Sequence, residues 1–189
     1  MPSIARFTVV ALAIPLLLTS CGYNRLQELD EQVNKSQAQI QTQLQRQADL
    51  IENLVQTVKG VAAQETTVFL GVAEARAKLS GAAAGTDLQA MAEANAAMAA
   101  PLSRLLAVVE NYPELKSSAN FTMLQDQLEG TANRIAVARQ DYNASVEQFN
   151  AMIRRFPTNL TAKMFGLGTP REYFQAAEGA AEVPKVDFS

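Results

Sequence analysis

Cys21 has the most chemically reactive side chain in this 189-residue sequence, because a thiolate is an intrinsically strong nucleophile. It follows Leu18-Thr19-Ser20, which close an apolar stretch that begins at Phe7, directly after Arg6. A positive residue, about twelve apolar residues and small residues before a processing point are the pattern of a secretory signal peptide. No internal disulfide is possible with a single cysteine. The pattern therefore predicts a signal peptide that ends directly before Cys21.

The residues Leu18, Thr19, Ser20 and Cys21 resemble a bacterial lipobox, in which the thiol receives a diacylglyceryl group and cleavage leaves the cysteine first. We therefore expect residues 1–20 to be a lipoprotein signal peptide and residues 21–189 to be the mature chain. Each buried methylene contributes about 0.8 kcal/mol, so two acyl chains hold a protein firmly on a membrane. The resemblance predicts an envelope lipoprotein that faces outside the cytoplasm. The alternative is an uncleaved transmembrane helix, because residues 7–24 give about 18 uncharged positions, the lower limit for spanning.

A second set of polar side chains recurs at helical spacing. We refer to it as the polar strip, and it consists of Arg46, Asp49, Asn133, Arg134, Arg139, Asp141 and Asn143. One interpretation is that the polar strip binds an anionic ligand or fixes the register between helices. The simpler one is local pairing, since residues three or four apart share a helix face and an exposed pair contributes roughly a few tenths of a kcal/mol.

The composition argues against catalysis, metal binding and nucleic-acid binding. There is no histidine, so the chain lacks an imidazole base for a nucleophile and the Glu-x-x-His pairs of bundle metal sites. The net charge is -3, and basic residues are scattered among acidic ones, whereas phosphate binding needs a concentrated basic surface. We therefore predict no enzyme, no catalytic residue, no cofactor and no metal. The expected partners are a membrane, through lipid on Cys21, and another envelope protein or a second copy of the chain.

Helical periodicity dominates the elements that must position these residues. Apolar positions separated alternately by three and four residues predict long helices over about 24–80, 87–112 and 119–156, with an irregular docked tail over 157–189. The predicted fold class is all-α, an elongated antiparallel helical bundle of three long helices with coiled-coil packing and short C-terminal pieces. The first helix is expected to bend at Gly60, or to reverse there and give four helices.

The predicted core positions follow from this periodicity. In the first helix they are Leu26, Leu29, Val33, Ser36, Ile40, Leu44, Ala48, Ile51, Val55, Val58, Ala62, Phe69, Val72 and Leu79. In the third they are Phe121, Leu124, Leu128, Thr131, Ile135, Ala138, Tyr142, Ser145, Phe149, Met152 and Phe156. Pro101 is expected to kink the second helix, Thr86 and Gln89 to form its capping box, and apolar residues beyond Pro157 to dock on the bundle.

The chain resembles the LemA family from Cys21 to Phe188. The residues that carry the resemblance include Gly22-Tyr23-Asn24, Gln45-Arg46, Ala48-Asp49-Leu50-Ile51, Asn53-Leu54-Val55, Thr57-Val58-Lys59-Gly60, Ala75-Arg76-Ala77, Tyr112-Pro113, Asn133-Arg134-Ile135-Ala136-Val137-Ala138-Arg139, Asp141-Tyr142-Asn143 and Phe156-Pro157. The resemblance implies a membrane-attached, mostly helical bundle. The chain departs from the family pattern at Gln47, Glu52 and Ala132, where the family usually has an arginine, a proline and an acidic residue.

Two functions are consistent with these sequence features. The first is a lipid-anchored structural or interaction protein that presents a helical face to an envelope component. The second is a small-ligand or lipid-binding module that uses a gap between helices near Pro101 and the C-terminal aromatic residues. A sizeable apolar cavity at that place would favour the second, whereas a filled core with an exposed apolar strip would favour the first.

Replacing Cys21 with Ser tests the lipobox. Serine offers no thiol for acylation, so we expect the variant to leave the membrane or to keep its leader, and to incorporate no radiolabelled fatty acid during growth. Fractionation, gel mobility and autoradiography measure these properties. Normal leader removal together with normal labelling would refute the lipobox prediction.

Overall fold

The computed structural model describes residues 2–175, with side chains from residue 22 onward. The lipobox side chains of Leu18, Thr19, Ser20 and Cys21, and the tail residues Val186 and Phe188, lie outside the described side chains. All regular secondary structure within residues 2–175 is helical, which confirms the all-α fold class. The helices are α1 (Pro2–Lys59), α2 (Thr66–Ala84), α3 (Leu88–Ala97), α4 (Ala99–Val109), α5 (Pro113–Lys116), α6 (Ala119–Arg154) and α7 (Thr158–Met164).

These helices contribute to two compact units. Within the described residues, unit 1 contains α1 up to Gln37 and the segment Gln140–Tyr173. Unit 2 contains Ala38–Arg139 and the chain from Phe174 onward. Helices α1 and α6 therefore supply residues to both units.

In unit 1, α1 and the end of α6 bury their apolar faces. Leu26, Leu29 and Val33 of α1 are buried, as are Val146 and Phe149 of α6. The predicted periodicity therefore gives the buried positions of α1 in this unit, whereas in α6 Val146 and Ile153 are buried without having been predicted and the predicted Met152 is half-buried.

A pair of serines interrupts this apolar interface. The Oγ atoms of Ser36 and Ser145 are 3.0 Å apart, and each hydroxyl is also within hydrogen-bond distance of the carbonyl one turn earlier, on Gln32 and Asp141. Because the two hydroxyls have two hydrogens for these three contacts, one contact at any moment lacks a proton. A buried hydroxyl needs a partner, so this pair favours one register of α1 against α6.

The C-terminal part of unit 1 is held to α6 by hydrogen bonds to its backbone. The Asn150 side chain accepts from Arg171 N at 2.8 Å and donates to Arg171 O at 2.9 Å. The Tyr142 hydroxyl donates to Glu172 O at 3.0 Å, and the Arg171 guanidinium donates to Asp30 Oδ1 at 2.7 Å. Burial raises the pKa of Tyr142, the Arg171 charge opposes that rise and the Glu172 charge adds to it. These contacts fix an otherwise irregular segment on two helices.

In unit 2, α1 and α2 form an antiparallel hairpin. Lys59 lies 5.4 Å from the ring centroid of Phe69, at the closed end of the hairpin. Further along, Arg76 donates to the carbonyl of Ala48 at 3.2 Å and pairs with Glu52 at 3.2 Å. Helix α2 also packs against α3 and α4.

The predicted helix over 24–80 is therefore not continuous, and the reversal near Gly60 is the alternative that the structure shows. The N–H groups of Val61 and Ala62 both donate to Val58 O, at 3.1 and 2.9 Å, which tightens and ends the last turn of α1. Glycine is a poor helix former and follows Lys59 directly, so Gly60 is a favourable place for this end. Ala62 is fully buried in the connection.

The predicted helix over 87–112 is also divided. Met98 separates α3 from α4, and Pro101 lies in the first turn of α4, where its missing N–H leaves no helical hydrogen bond unmade. The N-cap is Asp87, which accepts from the backbone N–H groups of Gln89 and Ala90, so the expected cap at Thr86 is displaced by one residue. Tyr112 lies outside helical geometry, with φ -126° and ψ 80°, and Pro113 begins α5.

Helix α6 follows the prediction over most of its length. It begins after Ser118, whose hydroxyl accepts from Phe121 N at 3.3 Å, and the predicted core positions from Phe121 to Phe149 are buried. The prediction is wrong at its end, because α6 ends at Arg154 and Phe156 is 79% exposed. The expected docking of the apolar tail is likewise wrong for Met164, Phe165 and Tyr173, which are exposed, whereas Phe174 is buried.

Replacing Phe149 with Asp should prevent stable folding. The side chain is 1% exposed, and an isolated buried carboxylate has no compensating charge. Truncation of a buried Phe to Ala alone costs about 3–5 kcal/mol. Val137→Asp is the matched control, since Val137 is on the same helix and 55% exposed, and we expect a change within about 0.5 kcal/mol. Circular dichroism melting measures both; an unchanged Tm for Phe149→Asp would remove this residue from the core.

Replacing Asn150 with Ala should loosen the segment around Arg171. The change leaves the Arg171 N–H and carbonyl without their partner, which costs about 1–3 kcal/mol. Proteolysis tracks the open population, so tryptic cleavage after Arg171 should be at least about fivefold faster. Asn133→Ala removes an exposed amide from the same helix and should cleave at the normal rate. Equal rates for both variants would show that Asn150 does not hold the segment.

Candidate functional site

An exposed apolar surface lies at the end of α6 and on α7, in unit 1. It is formed by Phe156, Leu160, Met164 and Phe165, which are 79, 58, 73 and 53% exposed, and we refer to it as the 156–165 surface. Leu160 and Met164 are four residues apart on α7 and therefore share a helix face. The buried residues of α7 are the small Thr158, Thr161 and Ala162. This short helix therefore buries small side chains and exposes its large apolar ones.

The start of the described side chains lies beside this surface. The Tyr23 and Phe165 rings have centroids 4.4 Å apart with their planes tilted by 47°. A Cβ placed on Gly22 would be 3.4 Å from Thr158 Oγ1. Residues 22 and 23 are therefore in contact with the segment that carries the exposed apolar side chains.

Basic residues flank the same segment. Arg154, Arg155 and Lys163 are exposed, and Arg154 and Lys163 occupy the last turns of α6 and α7. Arg155 also lines a cleft of about 440 Å³ together with Arg25 and Met152. The 156–165 surface thus combines large apolar groups with nearby positive charge.

A second feature is a cleft of about 250 Å³ in unit 2, which we refer to as the Arg139 cleft. One wall is α6, through Ala132, Ile135, Ala136 and Arg139. The opposite wall is formed where α3 gives way to α4, through Asn95, Met98, Ala99 and Leu102, and Gln47 of α1 completes the lining. Both walls use residues spaced by three, four and seven, so each wall is one face of helical structure.

Arg139 is the charged residue of this cleft. Its guanidinium carbon lies 4.6 Å from the centroid of the Phe174 ring, and its Nε is buried without a hydrogen-bond acceptor. Within the described residues, no carboxylate pairs with Arg139. Burial lowers the pKa of Arg139, but an arginine stays protonated at neutral pH. The cleft therefore contains a half-buried cation whose main contact is an aromatic ring.

Gln47 supplies a buried amide to the same cleft. Its side chain is 9% exposed, and its Oε1 is buried without a hydrogen-bond donor among the described residues. Most buried polar atoms have a partner, so an unpaired one calls for an explanation, and a bound water, ion or ligand is one such explanation.

The other members of the polar strip lie elsewhere. Arg46, Asp49, Asn133 and Arg134 are exposed in unit 2, and Asp49 accepts a hydrogen bond from Gln45 at 2.9 Å. In unit 1, Asp141 is exposed and Asn143 is half-buried. Arg139 is the strip residue that lines the cleft, and a ligand-binding or register role for the strip as a whole stays a prediction.

Sequence reasoning misses most of these two features. Periodicity places Phe156 in the core, although Pro157 directly after it ends the helix that would have buried it. Gln47 stands out in the sequence as a departure from the family pattern, whereas Asn95, Met98 and Leu102 are only helix-face positions. The useful signal is Pro101, because a break between α3 and α4 opens the wall of the cleft there.

Metal sites and membrane spans are two other features that the described residues could have formed. No group of three His, Cys, Asp or Glu within the described part of the chain could hold a metal ion. Among residues 22–175, whose side chains are described, no helix is both long enough and apolar enough to cross a membrane, and most of the candidate span over residues 7–24 lies outside this range.

The protein is therefore an all-α protein built on long helices. Its candidate functional features are an exposed surface and a cleft, both of which are suited to binding. Within that class the chain belongs to the LemA family, whose family model matches residues 36–188.

Two magnetosome proteins illustrate the similarity. Magnetosome protein MamQ 2 of Paramagnetospirillum magneticum is 27% identical over 195 aligned residues, covering 91% of this chain and 70% of the relative. Magnetosome protein MamQ of Magnetospirillum gryphiswaldense is 25% identical over 197, covering 92% and 71%. The similarity thus extends over most of both chains.

Proposed function

We propose that this protein is a lipoprotein of the bacterial cell envelope, tethered through Cys21, whose helical units serve as a structural or interaction module without catalytic activity. The 156–165 surface is the observation that carries the proposal. Its position next to Gly22 and Tyr23 supports a membrane-facing role for this end of unit 1. The bacterial origin of the relatives supports the same cell type.

Chain geometry connects the surface to the proposed anchor. A fully extended residue spans at most about 3.6 Å, so Tyr23 lies within roughly 7 Å of Cys21, measured between Cα atoms. Tyr23 in turn contacts Phe165. A diacylglyceryl group on Cys21 would therefore bring Phe165 and its neighbours close to the lipid headgroups.

The chemistry of the surface fits a lipid interface. Apolar side chains such as Phe156, Leu160 and Met164 gain free energy when they leave water, and interfacial binding grows with the apolar area that is buried. Basic residues near an anionic leaflet add about 1 kcal/mol each, which Arg154, Arg155 and Lys163 would supply. A second contact of this kind would hold unit 1 against the membrane in addition to the lipid.

The test is fractionation of the full chain in four forms. These are the wild type, Cys21→Ser, and Cys21→Ser combined with either of two triple substitutions. One triple changes Phe156, Leu160 and Met164 to Ser. The matched control changes Leu70, Met123 and Val137 to Ser, which are similarly exposed apolar residues of unit 2.

We expect the wild type to resist a high-salt wash, and Cys21→Ser to stay partly bound to membranes. The 156, 160 and 164 triple should then lower the bound fraction more than about tenfold relative to the control triple, because three apolar contacts are lost. Equal release of both triples would exclude a membrane role for the 156–165 surface. A Cys21→Ser protein that has lost its leader, as judged by gel mobility, and still resists the salt wash as the wild type does would exclude the lipid tether.

A further inference from the structure

We propose that the Arg139 cleft binds a small organic carboxylate that carries a hydrogen-bond donor beside its carboxyl group, with an apolar body covered by Met98, Leu102 and Ile135. This site lies in unit 2 and does not depend on the membrane anchor. It adds a ligand to a protein whose proposed function is structural.

The charge of the cleft points to an anion. Arg139 is half-buried and lacks a carboxylate partner in the described chain, whereas the similarly half-buried Arg76 pairs with Glu52. Removing a cation from water without a counter-ion is costly, so an incoming anion would gain from this arrangement. One guanidinium in a largely apolar cleft matches a monoanion, and its planar fork matches a carboxylate.

Two polar atoms without partners further restrict which ligands fit the cleft. The unpaired Nε of Arg139 needs an acceptor, and the unpaired Oε1 of Gln47 needs a donor. A carboxylate with a neighbouring hydroxyl offers both. Because both atoms are buried in the empty cleft, binding requires the two side chains to rotate toward the ligand. Asn95 adds a second amide to the lining.

The size of the cleft limits the ligand. A volume of about 250 Å³ is below the usual 300–1,000 Å³ of ligand pockets and equals the space of roughly eight water molecules. The ligand is therefore a molecule of about ten heavy atoms or fewer, too small for a phospholipid. Met98, Leu102 and Ile135 provide the apolar contact for a short branched or linear tail.

Three probes separate the contributions of the carboxylate charge and of the hydroxyl to binding. Each probe is titrated into the full chain purified in detergent, and saturation-transfer NMR of the probe measures its binding. The probes are 2-hydroxy-4-methylpentanoate, 4-methylpentanoate without the hydroxyl, and 4-methylpentanamide without the charge. We expect the hydroxy acid to bind at least about tenfold more tightly than the amide and severalfold more tightly than the deoxy acid. Absence of any signal for the hydroxy acid at about 10 mM would overturn the proposal.

Matched variants then locate the site. Arg139→Met keeps an apolar contact with Phe174 but removes the charge, and should weaken hydroxy-acid binding at least about tenfold. Arg134→Met removes an exposed arginine from the same helix and should leave binding unchanged. If Arg139→Met proves unstable, Ala136→Met, which fills the cleft from its rim, should abolish binding in its place. Binding that survives both cleft variants, or that is lost in Arg134→Met, would exclude the cleft as the binding site.

Discussion

Burial of one apolar ridge along α1 is the constraint on which both units depend. The ridge runs from Leu26 to Val58 in steps of three and four, and every position of it is buried. In unit 1 the ridge packs with the end of α6, and in unit 2 it forms one side of the α1–α2 hairpin. Most helical stability in proteins comes from packing an amphipathic face. Helix α2 and the end of α6 therefore both depend on their contact with this ridge for stability.

The width of the buried face changes along α1, and this change explains what periodicity predicted and what it missed. Between Leu26 and Ile40 the buried side chains form the narrow stripe expected of a two-helix seam. Beyond Leu44 the buried set widens to include Gln47, Leu50 and Leu54. A wider buried face requires more than one neighbour, and α1 has α2 on one side and the Arg139 cleft beside Gln47 on another. Periodicity finds the centre of a stripe well, but its width depends on tertiary neighbours that the sequence does not specify.

The helix ends were predictable where a local signal was strong and unambiguous. The predicted second helix ends near 112, three residues beyond the end of α4 at Val109, and Pro113 begins α5 there because proline restricts the residue before it. The predicted third helix starts at 119, where α6 begins, since the Ser118 hydroxyl accepts the free N–H of Phe121. Gly60 was ambiguous between a bend and a reversal, since the hairpin is decided by the contacts of Arg76 with Ala48 and Glu52, far from the glycine in sequence. Phe156 followed the heptad pattern but is not buried, because α6 ends at Arg154, two residues before it, and the residue before a proline avoids helical geometry.

The candidate sites were less predictable because they depend on what is missing around a residue. Arg139 belongs to the same helical repeat as Arg134, and nothing in their spacing distinguishes the two. Arg139 differs from Arg134 because it is half-buried and lies over the ring of Phe174, 35 positions further along the chain. No described carboxylate pairs with it. With 19 acidic residues available, the chain could have placed one opposite Arg139, as it does for Arg25, Arg76 and Arg171. An aromatic face lowers the cost of burying a guanidinium while leaving its in-plane N–H groups to hydrogen-bond, and that combination gives a cleft its own affinity for an anion.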